Sequence, residues 1–203
     1  MRVAVRLIRD RRAASAVEFA LVSPLLFLLL LGIIDVGRFM WEYNRAEKAT
    51  QMGARLAVVT DPVLNGLYGY SFSITGGIAQ GTAVPVANFT SATCNNSNCS
   101  CVATSGGFCG TTSFNSTAFT NLVTRMHSMY PAINAANVRV DYKNVGLGFA
   151  GNPDGPDVSP LVTVRLTGLN FHPITCFVFA CSMAMPSFSS ALTLEDASGS
   201  VGN

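Results

Sequence analysis

The chain has 203 residues, 12% of them charged and 49% hydrophobic, with a formal net charge of +2 and a mean hydropathy of +0.38. A chain this apolar and this sparsely charged is not a disordered tail. Nor does it carry the basic excess of a dedicated nucleic-acid binder, so no nucleic-acid partner is expected.

The length fits one domain of about 150 residues plus an additional segment. That segment is N-terminal. Residues 1–12 read MRVAVRLIRDRR, five Arg and one Asp, and the rest of the chain carries 8 basic and 10 acidic residues. The basic excess is therefore confined to the first dozen residues. The next 22 residues, Ala13 to Ile34, hold one ionisable group, Glu18. About 20 such residues in a helix span a bilayer core. The arginine cluster then stays in the cytoplasm, and the chain beyond Asp35 faces outward. A cleaved secretory signal has a shorter apolar core and a small-residue cleavage site. Here the run ends Leu-Gly-Ile-Ile-Asp-Val-Gly-Arg, with no A-x-A. Glu18 is the exceptional residue. An acid within a membrane segment costs up to roughly 3.5 kcal/mol at the centre, so it calls for a partner or a place near the headgroups.

Helical spacing continues beyond the apolar run. Val36, Phe39, Tyr43, Ala46, Ala49, Met52, Leu56 and Val59 step by three or four, the period of one helix face. That face is expected to pack on the chain's own C-terminal domain or on helices of similar proteins. Arg38 and Glu42 stand at i and i+4, a weakly stabilising pair. Trp41 and Tyr43 suit an aromatic anchor at the outer interface. Asp61-Pro62 ends the pattern, because proline pushes its predecessor out of the helical region. A helix over 14–60 would be about 70 Å long at 1.5 Å per residue, with Pro24 and Gly32 as softening points.

From Asp61 onward Gly, Ser, Thr and Asn dominate up to about residue 117. Alternation predicts strands over 70–75, 138–142, 161–166 and 188–194, and a short helix over 119–130. The glycine- and proline-rich stretch 146–160 is a loop. The fold class is therefore α+β: a long N-terminal transmembrane helix leading into a small, mostly antiparallel β domain that contains disulfides. The divisions are a basic leader at 1–13, the transmembrane and extended amphipathic helix at 14–60, and an outer α+β domain at 61–203. Six cysteines, Cys94, Cys99, Cys101, Cys109, Cys176 and Cys181, all lie in that domain. An even number in an exported domain argues for disulfides. Their grouping favours pairs within Cys94–Cys109 plus Cys176–Cys181. Zinc spacing is absent, since Cys99-Ser100-Cys101 is too tight for a knuckle.

Several patterns imitate functional sites. Gly146-Leu-Gly-Phe-Ala-Gly151 matches a dinucleotide fingerprint, but Asn152-Pro153-Asp154-Gly155-Pro156 follows where a helix must open. Asn152, Asp154 and Asp157 lack the spacing of a calcium loop and read as a solvated turn. His127 and His172 stand alone, and no hydrolase, nucleotide or metalloprotease motif occurs. Sequons at Asn88, Asn95, Asn98 and Asn115 matter only in a eukaryotic secretory route. No catalytic residue, cofactor or metal is expected, and the protein reads as a non-enzyme.

The stretch Arg11-Arg-Ala-Ala-Ser-Ala-Val-Glu-Phe-Ala-Leu-Val-Ser-Pro-Leu-Leu26, with Gly32-Ile-Ile-Asp-Val-Gly-Arg38 after it, resembles the TadE-like family of pseudopilins. These are bacterial membrane proteins of the tight-adherence (Flp-type) pilus machinery, and the N-terminus is similar to that of type IV prepilins. The resemblance covers about residues 11–55. It implies a prepilin-peptidase cut between Ala13 and Ala14, although the family usually has Gly before the cut. Glu18 becomes the fifth mature residue, and it would pair with the new Ala14 amine or a neighbour's and set the subunit register. The implied partners are the lipid bilayer, other pilins and pseudopilins through the helix, the prepilin peptidase and the pilus assembly platform. The implied location is the bacterial inner membrane, N-terminus cytoplasmic and C-terminal domain periplasmic, and the resemblance extends to incorporation into a surface pilus. The rival reading is a single-pass surface protein that binds an extracellular ligand through its C-terminal domain. A membrane-tethered enzyme is the least supported.

Overall fold

A computed structural model describes residues 11–105, 107–176, 181–194 and 196–199. The leader residues 1–10 lie outside the described residues. The chain forms one long helix, α1 (Arg11–Val59), followed by a small α+β region with antiparallel sheets and three disulfides. It divides into two units. One comprises the residues up to Glu42 together with 170–183, the other 43–169 together with 184 onward.

The second unit is built on a five-stranded antiparallel sheet. Its strands are β2 (Ser91–Cys94), β3 (Cys99–Val102), β5 (Val138–Lys143), β6 (Leu161–Leu166) and β9 (Phe188–Thr193), in the order β3-β2-β5-β6-β9. Alternation sets the two faces. Val138, Val140 and Tyr142 of β5 point inward with Val162, Val164 and Leu166 of β6, and all six are buried. The strands expected over 138–142, 161–166 and 188–194 are thus present within a residue or so. The hairpin β2–β3 arises in a Ser-, Thr- and Cys-rich segment without an apolar run. Its register sets Cys94 opposite Cys99, and their disulfide closes the turn. Cys101 bonds to Cys109 in the short helix α2 (Phe108–Thr111). The two-residue strands β1 (Leu64–Asn65) and β4 (Ser113–Phe114) pair with each other.

The helix expected over 119–130 is α3 (Ser116–Met129). Asn115 caps it, its side chain accepting from the Ala118 amide at 3.1 Å. At the other end the Arg45 guanidinium donates to the Met129 carbonyl at 2.8 and 3.1 Å, satisfying an orphan carbonyl of the last turn. Within this unit the buried face of α1 is Ala46, Ala49, Thr50, Gly53, Ala54, Ala57 and Val58. This corrects the stripe expected from helical spacing. Met52 and Leu56 are only half-buried and Val59 is exposed. The Tyr43 ring packs edge-on against Phe188 at 4.9 Å. Small side chains form the buried face because the neighbours approach too closely for large ones. A Cβ at Gly53 would stand 2.7 Å from Met126 Sδ and 3.4 Å from Val164 Cγ1. Gly53→Val is therefore expected to destabilise this unit by about 2 kcal/mol, as overpacking does. Chemical denaturation of the detergent-solubilised chain checks this. Unchanged stability would mean that Met126 yields freely.

The strand expected over 70–75 is instead a turn. Phe72 donates its amide to the Asp157 carboxylate at 2.6 Å, and Thr75 donates to the Ser71 carbonyl. The apolar residues there serve a cluster, with Tyr70 and Phe89 edge-on to Phe108 at 5.2 and 4.9 Å. Asp157 is buried, and its other oxygen accepts from the Asn152 amide at 3.0 Å. The apparent calcium loop is thus a carboxylate committed to backbone. Within the glycine run, Gly148 has φ +96°, and a Cβ there would lie 2.5 Å from the Asp157 carbonyl oxygen, so the run is a tight turn. Tyr142 accepts from the Val63 amide at 2.9 Å, and burial pushes its phenol up to about 12.

Candidate membrane anchor and its exit clamp

The site begins with what α1 leaves uncovered. From Ser15 to Ile34 no described side chain is buried, and Phe19, Leu21 and Leu25 are each more than 70% exposed. Leucines and phenylalanines in such a row demand a non-aqueous neighbour. The helix is long and apolar enough to cross a membrane, with a mean hydropathy of 2.5 over its most apolar stretch. Glu18 lies exposed on this surface, and no ion pair joins it to any described group. Ala13 and Ala14 lie in the first turn of α1.

From Ser15 onward, the first buried residue along the helix is Asp35, a carboxylate. Its Oδ1 accepts from the Ile174 amide at 2.6 Å. Its Oδ2 accepts from the Thr175 amide and the Thr175 hydroxyl, both at 2.8 Å. Arg38, one turn on, stands 3.5 Å from Oδ1. The same guanidinium donates to the His172 carbonyl, lies 5.5 Å from the Phe171 ring centre and reaches Glu42 at 3.7 Å. Phe39 meets Phe171 edge-on at 5.4 Å. The clamped backbone follows β7 (Asn170–Phe171), which pairs with β8 (Met183–Ala184), and runs straight into the Cys176–Cys181 disulfide.

A buried carboxylate is tolerated only when its lone pairs are satisfied, and here three donors and one cation do so. Desolvation pushes the Asp35 carboxyl up. The Thr175 and Ile174 amides, the Thr175 hydroxyl and the Arg38 charge outweigh it and hold the group below its usual range. The arrangement fastens a disulfide loop to the helix at the first residue beyond the apolar run. Among the described residues no group of three His, Cys, Asp or Glu could hold a metal.

The structure joins the six predicted cysteines as Cys94–Cys99, Cys101–Cys109 and Cys176–Cys181, in keeping with the grouping read from sequence. The Arg38–Glu42 pair forms. Asp35 was missed as a site residue, because its partners lie 139 and 140 residues away in sequence. Residues 13–55 match the model of the TadE-like protein family, the one that the N-terminal motif resembles. No curated protein and no solved structure matches the chain.

Proposed function

We propose that this chain is a minor pseudopilin, a non-enzymatic assembly component of a tight-adherence pilus. The TadE-like match over residues 13–55 carries the reading, because it falls on the exposed apolar helix and the acid within it. A prepilin peptidase cuts between Ala13 and Ala14 on the cytoplasmic side and leaves 190 residues. Cleavage removes every leader arginine and creates an amine four residues before Glu18. That amine, or a neighbouring subunit's, neutralises the carboxylate within the apolar layer. The helix then packs with other pilin-like helices in the inner membrane, and the disulfide-bearing region stands on the periplasmic side, where disulfides persist. Ala13 replaces the family's usual Gly at the cut but is the next smallest side chain.

Intact mass of the chain purified from its native membranes tests the proposal. A start at Ala14 is the expected result. A start at Met1 would remove the amine partner of Glu18 and overturn processing. A start beyond residue 35 would mean a secreted domain and overturn the anchor as well.

A further inference from the structure

The outer face of the five-stranded sheet is open to solvent among the described residues, and its chemistry is not that of an idle surface. After residue 60 the chain holds four Lys or Arg: Arg125, Arg139, Lys143 and Arg165. Three of them stand on this one face, Arg139 and Lys143 from β5 and Arg165 from β6. The same part of the chain has six Asp or Glu, and one of them, Asp141, shares the face. The cations are therefore segregated against a locally acidic background.

Register sharpens this. Arg139 lies directly opposite Arg165. Like charges facing each other across an antiparallel pair are destabilising. Asp141 relieves only one of the two. Its Oδ2 accepts from Arg165 Nε at 2.5 Å, and its Oδ1 accepts from the Thr93 hydroxyl. Arg139 and Lys143 are exposed and lie about 13 Å apart along β5 at 3.3 Å per residue. Between and beside them stand the hydroxyls of Ser91, Thr93 and Thr163, with Ser189 further along on β9.

We infer that this face binds an acidic polysaccharide, a chain of hydroxyl-rich sugars with spaced carboxylates. Charge complementarity fixes the sign of the ligand, and the composition of the face selects its class. A nucleic acid calls for denser basic charge and aromatic stacking platforms. The net charge here is only +2, and no ring is exposed on the face. A protein partner calls for a cluster of aromatic or apolar anchors, and this face offers only Leu161 and, on the edge strand β3, Val102. Sparse cations among hydroxyls match sparse carboxylates among hydroxyls. The inference stands independently of the pilus reading.

The test uses the full chain in phosphatidylcholine nanodiscs, with polygalacturonate as probe and dextran and duplex DNA as comparisons. Binding to polygalacturonate is expected, with none to dextran. It should be lost at about 1 M salt, where the Debye length is ~3 Å. R139S/K143S should weaken it about tenfold or more. K48S/R55S, which removes two exposed helix cations off this face, should leave it unchanged. R139Q alone gives an intermediate loss and serves if the double variant fails to fold. Absence of polygalacturonate binding overturns the inference. So does equal binding by R139S/K143S, or DNA held as tightly as polygalacturonate.

Discussion

Asp35→Ala is expected to release the loop at Ile174 and Thr175 while leaving the five-stranded sheet intact. Three donors converge on this one carboxylate, and they belong to consecutive residues of a single segment. Truncation leaves two part-buried amides without their acceptor, and only water can replace it. Amide exchange at Ile174 and Thr175 should accelerate on the order of tenfold or more, because the opening becomes local rather than coupled to the helix. Asp35→Asn separates charge from shape. An amide keeps one acceptor oxygen but presents N–H groups where the other oxygen accepted, so it should restore protection only in part. The pH dependence has a definite sign. The carboxyl is held below its usual range while clamped, so the clamp is complete above the ordinary carboxylate pKa and is lost as pH falls through the lowered one. In Asp35→Asn that acid dependence disappears. Exchange at Ile174 and Thr175 that is the same in the wild type and Asp35→Ala would show that the disulfide and the β7–β8 pairing hold the loop alone.

How much of this was legible in sequence follows from the range of each interaction. The apolar run, its acid and the strands at 138–143, 161–166 and 188–193 declare themselves by period, which is a local property. The cysteine grouping was legible because each disulfide closes a separation of only 5 or 8 residues. The buried face of α1 was not. Its members are Ala, Gly, Thr and Val, and large apolar residues dominated the periodic signal although the close approach of Met126 excludes them there. The 70–75 segment alternates like a strand, but a distant buried carboxylate, Asp157, claims the Phe72 amide. Asp35 looked like the mere end of a membrane segment. The donors that give it a role come from a segment whose own sequence shows no regular period. Sequence thus reports what neighbours along the chain enforce, and it is silent where one polar group far downstream decides the outcome.

Glu18→Gln is expected to leave membrane insertion intact and to reduce incorporation into pilus assemblies by about tenfold or more. The two effects have opposite signs. Removing a carboxylate from the apolar run lowers the insertion cost, which reaches roughly 3.5 kcal/mol for an acid at the bilayer centre, so the amount of protein in the membrane should hold or rise. Assembly should fall, because the neutral amide can no longer pair with a subunit amine, and about 1.4 kcal/mol of lost pairing is already tenfold. Cleavage at Ala13–Ala14 should be unaffected, which intact mass of the variant checks. The discriminating measurement is therefore a ratio, namely co-purification with pilin partners divided by the amount in the membrane. A ratio unchanged from the wild type would reduce Glu18 to a carboxylate resting at the cytoplasmic headgroups, and the register role would have to pass to another feature of the helix.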